Sequence, residues 1–133
     1  MDDADKKLLK TAVEMKTKTI NEKDVKNAVD NEEQVKKIIS ASGTLRKYLE
    51  DIKTLYSLIN DYRSGRYTEV PWLTIAASVA TLIYVLSPID LIPDVIPVLG
   101  LTDDAFVIAM CLGAIANDLE LYIEWKKKNP ALA

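Results

Sequence analysis

Apolar side chains recur at helical spacing along most of the chain. The clearest stretch is 44–63, where Leu45, Tyr48, Leu49, Ile52, Leu55, Tyr56, Ile59 and Tyr62 follow an i, i+3, i+4 order. Lys47, Glu50, Asp51 and Lys53 occupy its other face. "RSGRYTEVP" ends it: Gly65 suits a left-handed C-cap and Pro71 a new helix start. Upstream, Leu8, Leu9, Ala12, Val13 and Met15 predict a helix over 5–18. Val25, Ala28, Val29, Val35, Ile38 and Ile39 predict helix over 22–40. Asn31 with Glu32 and Glu33 reads there as a cap with acids in the first turn, so this segment is one helix or two short ones.

The pattern then changes. Residues 70–89 form a 20-residue run without a formal charge, and 105–117 form another of 13. They predict two apolar helices, near 71–86 and 102–127, packed antiparallel as a core that the amphipathic helices cover. The fold expected is all-α with about five helices. The 133 residues fit one domain, with 1–45 as an N-terminal helical extension.

Composition narrows the chemistry. A net charge of −3 argues against nucleic acid as a partner, because phosphate backbones demand a surplus of Lys and Arg. The absence of histidine removes Ser-His and Cys-His catalysis and the commonest zinc ligand. The single cysteine, Cys111, lies in an apolar run with no cation beside it, and reads as a small buried hydrophobe. "MDDADKKLLK" does not read as a signal peptide, which gives the expectation of a cytoplasmic location or one at the membrane face.

Between the apolar runs lies "SPIDLIPDVIPVLGLTDD". Three prolines (Pro88, Pro93, Pro97) and four carboxylates (Asp90, Asp94, Asp103, Asp104) share 18 residues. One reading is structural. Ser87 caps a helical turn that Pro88 opens, Asp90 accepts a backbone N–H, Pro93 and Pro97 stiffen the link, and Gly100 permits a turn. Thr102 then caps the last helix, with Asp103 and Asp104 against its dipole. A second reading makes the four aspartates oxygen ligands for a divalent cation, although the spacing is not that of an EF-hand loop. A third, paired carboxylates for acid–base work, has no nucleophile or pocket readable beside it.

Residues 84–104, "YVLSPIDLIPDVIPVLGLTDD", resemble the signature of the YkvA-like domain, a widespread bacterial domain of unknown function. The likeness covers roughly 50–125. It implies a helical hairpin regarded as membrane-associated, and carries no established reaction. The second apolar run stops at Asn117-Asp118 and the C-terminal part is more charged, which departs from a clean membrane span.

A 20-residue uncharged run is long enough to cross a bilayer, whereas the return leg would rise only about 20 Å against about 30 Å of hydrocarbon. Asp118 and Glu120 would be costly in lipid. The function expected is therefore a non-enzymatic helical module that binds a protein partner at or near the membrane, with the acidic hinge as its candidate site. A metal-dependent enzyme or switch on the same aspartates and an integral membrane hairpin are the alternatives. No resident cofactor is expected outside the cation reading, and a second copy of the chain remains open as a partner.

Overall fold

The computed structural model describes residues 3–87 and 103–130. Those residues form seven α-helices, a short 3-10 turn at Arg46–Tyr48, and no strand. The all-α expectation therefore holds, with more and shorter helices than the pattern gave.

Helix α1 (Asp3–Thr19) has Asp3 and Asp5 in its first turn and Lys16 and Lys18 in its last, complementing the backbone dipole at both ends. Its inward side carries Leu9, Ala12, Val13 and Thr17. Leu8 and Met15, expected on that stripe, are about half exposed instead, at 46% and 49%. Helix α2 (Glu22–Asp30) starts at a capping box. Asn21 Oδ1 accepts from the Asp24 N–H at 3.1 Å, and Asp24 Oδ2 accepts from the Asn21 N–H at 3.0 Å. Asn31 separates α2 from α3 (Glu32–Ala41). It occupies the cap position, but its side-chain amide donates backwards to the Asn27 carbonyl, so it is a junction and not a side-chain cap.

Helix α4 (Leu49–Arg63) buries Ile52, Leu55, Tyr56, Leu58, Ile59 and Asp61. It ends as predicted: Gly65 has φ +79°, a left-handed conformation that glycine adopts without steric cost, and its N–H donates to the Tyr62 carbonyl. Helix α5 (Trp72–Leu86) begins after Pro71 and is the centre of the molecule, in contact with α1, α2, α3 and α4. Eleven of its fifteen residues are buried. Two of the polar ones are satisfied within the helix, Ser78 donating to the Thr74 carbonyl and Thr81 to the Ala77 carbonyl, while the Thr74 hydroxyl donates out of it to the Asp118 carboxylate at 2.6 Å.

The predicted last helix, near 102–127, is two helices, α6 (Asp104–Ala114) and α7 (Ala116–Lys128), bent by 71° at Ile115. The cause is a change of neighbour. α6 lies antiparallel to α5, with Asp103 opposite Tyr84 and Cys111 opposite Ala77. α7 must instead bury Leu119 and Tyr122, and packs Tyr122 and Trp125 against Tyr67. The chain turns at buried Ile115 to serve both. Leu9, Ala12, Val13, Tyr84 and Val107 form a small separate cluster that fastens α1 to the α5–α6 pair.

Candidate functional site

Three places concentrate chemistry, and the acidic hinge comes first. Pro88, Asp90, Pro93, Asp94, Pro97, Gly100 and Thr102 lie outside the described residues, while its two ends are described. Ser87 closes α5, its N–H donating to the Ile83 carbonyl at 2.8 Å. At the other end the helix cap expected at Thr102 belongs to Asp103, whose carboxylate accepts the Phe106 N–H at 3.0 Å. The Asp103 N–H in turn donates to the Tyr84 hydroxyl at 2.8 Å, so α5 sets where α6 begins. Burial pushes the Tyr84 phenol up to about 12, with the nearby Asp104 and Asp103 charges adding to it. Asp104 is also raised, first by burial and then by the Asp103 charge. Among the described residues no group of three or more His, Cys, Asp or Glu side chains could hold a metal ion.

The second place is a groove of ≈ 370 Å³ between α1, α5 and α6. Val13, Leu73, Ala77, Met110, Cys111 and Ala114 make it apolar, and Lys10, Glu14 and Lys18 of α1 border it. Leu73 is 61% exposed at its edge. Cys111 is buried against α5, and burial raises its thiol, so it behaves as the inert apolar residue expected.

The third place has no counterpart among the expected site residues. Asp61, only 3% exposed, lies on the buried side of α4. Its carboxylate accepts from Arg66 Nε at 2.9 Å and from the Tyr122 hydroxyl at 2.5 Å, with Lys126 Nζ at 3.8 Å. Tyr122 also meets Ser57 Oγ at 2.5 Å, and Lys126 Nζ donates to both Ser57 Oγ and the Tyr122 hydroxyl. Counting protons orders this chain. Tyr122 has one, and it goes to Asp61; Ser57 must therefore donate to Tyr122 and accept from Lys126. Burial raises the Tyr122 phenol, and its hydrogen bond to Asp61 raises it further.

In this arrangement Lys126 gives a proton to Ser57 rather than accepting one, which is the reverse of what a serine nucleophile needs from its base. The network locks α7 antiparallel to α4, since Ser57 meets Lys126 and Asp61 meets Tyr122. Among the described residues no buried side-chain nitrogen or oxygen lacks a partner. The spacing carries no signal for it: Asp61 lies about half a turn round the helix from Ile52, opposite the apolar stripe, and is buried there by the packing of α7.

Known proteins bear on the hinge and its two helices. The family model described as "Protein of unknown function (DUF1232)" matches residues 74–110, which run from α5 through the hinge into α6. No solved structure is significantly similar to the chain. The "Uncharacterized membrane protein YkvA" of Bacillus subtilis (strain 168) is 33% identical over 81 residues, 61% of this chain and 76% of that protein. With that identity spread over three quarters of the Bacillus protein, and the family model centred on the same proline-rich link, the chain belongs to the YkvA-like family of uncharacterised proteins.

Proposed function

We propose that the chain is a non-enzymatic helical interaction module that works at a membrane surface and receives a protein partner in the groove between α1, α5 and α6. The observation that carries this reading is the groove itself: an apolar trough of ≈ 370 Å³ with Leu73 standing 61% exposed at its edge. An uncovered apolar surface of this kind is where binding energy is available. The membrane setting is supported by the Bacillus relative, whose description is that of a membrane protein. A surface location is supported by α5, most of whose apolar side chains beyond Leu73 are buried inside the fold. The polar network of Asp61, Tyr122, Ser57 and Lys126 supports the non-enzymatic part, because its protons are committed to holding α4 and α7 together.

The test is a photo-crosslinking amino acid placed in cells at Leu73 and, as a control, at exposed Lys23 on α2. A discrete adduct in the membrane fraction from position 73, absent from position 23, is the expected result. Equal labelling from both positions, or no adduct from 73, would rule out the groove as the docking surface. Retention of the whole chain in membranes after alkaline carbonate washing would favour the integral hairpin instead.

A further inference from the structure

We propose that the second cleft, between α4 and α7, is a binding site for a phosphate-bearing anion. This cleft has a volume of ≈ 400 Å³ and is walled by Lys53, Thr54 and Ser57 of α4 and by Tyr122, Lys126 and Lys127 of α7, with Glu50 and Ile123 at its margin. Three lysines against one glutamate make it locally positive in a chain whose net charge is −3. Asp61 behind it does not cancel that charge, because Arg66 is bound to the same carboxylate.

One donor, Lys126, is held in place by the fold. Two of the three N–H groups of Lys126 are fixed on Ser57 and Tyr122, which anchors the ammonium at the floor of the cleft and leaves one N–H unassigned. Lys126 also lies over the Tyr122 ring, 5.6 Å from its centroid. Lys53 reaches Glu50 at 3.3 Å, a weak exposed pair that an incoming anion can displace. Lys127 is exposed beside them and has no ion-pair partner among the described residues.

Backbone dipoles nearly offset one another here. The positive N-terminal end of α4 and the negative C-terminal end of α7 share this end of the antiparallel pair, so the lysine ammoniums decide the sign. Convergent ammonium donors around a polar wall suit the several acceptor oxygens of a phosphate, and charge-assisted bonds of this kind are the strong ones. A phosphate can come from a lipid headgroup or from a soluble phosphate ester. The site does not depend on the apolar groove or its occupant.

The experiment compares the native chain with the double variant Lys53→Glu/Lys127→Glu, which alters only exposed positions, and checks by thermal melting that both fold alike. Three probes are titrated at low salt: inorganic phosphate, vesicles of phosphatidylglycerol, and vesicles of phosphatidylcholine. The native chain is expected to bind phosphate with shifts at the Thr54 and Ser57 amides, or to bind phosphatidylglycerol well above phosphatidylcholine. The double variant is expected to lose about tenfold or more in affinity, and the native binding to weaken as salt rises. Binding to vesicles alone assigns the phosphate to a lipid headgroup; binding to free phosphate with no preference among vesicles assigns it to a soluble ester. The proposal is overturned if neither phosphate probe binds, if the double variant binds as well as the native chain, or if polyglutamate competes as strongly as phosphate. Leu73→Asp should leave this binding unchanged, which separates it from the docking groove.

Discussion

The hydroxyl of Tyr122 stands 2.5 Å from a carboxylate oxygen of Asp61, and through that contact α7 is held on α4 across 61 residues of chain. Removing the hydroxyl should therefore cost more than a surface hydrogen bond would. Tyr122→Phe keeps the ring and its contacts with Tyr67 and Trp125 but leaves a buried carboxylate short of a donor and Ser57 short of an acceptor. A loss of about 1–3 kcal/mol is expected in urea unfolding. An unchanged midpoint would mean that Arg66 alone satisfies Asp61.

Tyr84 makes a prediction at alkaline pH. Its phenol is raised from the ordinary value near 10 to about 12, chiefly by burial. A folded-state pKa above the unfolded one gives stability that is complete below pH about 10 and is lost as pH rises through about 12. Tyr56 and Tyr122 are raised as well and act with the same sign. Tyr84→Phe should make the alkaline decline shallower while lowering neutral stability by about 1–2 kcal/mol, because the Asp103 N–H loses its acceptor. Parallel pH–stability curves for the two proteins would contradict this.

Asp104 has the opposite relationship to ordinary acid denaturation. Its raised pKa means that the folded chain binds the proton more tightly than the unfolded chain does. Its contribution is thus greatest below the ordinary carboxylate range and is lost as pH rises through the raised folded value. The stability of the native chain relative to Asp104→Asn should increase as the solution is acidified across that window. A difference that stays flat with pH, read by denaturant melts, would place Asp104 in water.

Cys111 should react slowly. The thiol is 4% exposed and raised by burial. An aromatic disulfide reagent is expected to label the folded protein at least about tenfold more slowly than the urea-unfolded chain. Comparable rates would show that the groove floor opens readily.

What the sequence made legible follows from range. The stripe on 44–63, the glycine after it and the apolar core helix all rest on neighbours within a turn or two; the glycine and the core helix appear where the spacing placed them, while the first helix starts at Leu49, after a 3-10 turn over Arg46–Tyr48, and not at 44. Leu8 and Met15 were misplaced because the α1 pattern is apolar on more than one side, and only packing chooses the side. The bend at Ile115 has no proline to announce it; it arises because α5 and Tyr67 lie in different directions. The Asp61 network joins residues far apart in the chain, and a carboxylate on a helix gives little warning that it will be buried. At the hinge, Asp103 caps α6 where the spacing favours Thr102, and residues 88–102 lie outside the described residues.

The kink at Ile115 has a consequence for how such chains can change. Residues 104–128, which are α6 and α7 with Ile115 between them, approach a bilayer span by length and composition, but they are bent by 71° and carry Asp118 and Glu120. Straightened, they would form a rod of about 37 Å. Straightening would also pull Tyr122 and Lys126 away from Asp61 and Ser57 and bring Asp118 and Glu120 into line with the apolar stretch, so the corner and the polar lock on α4 stand or fall together.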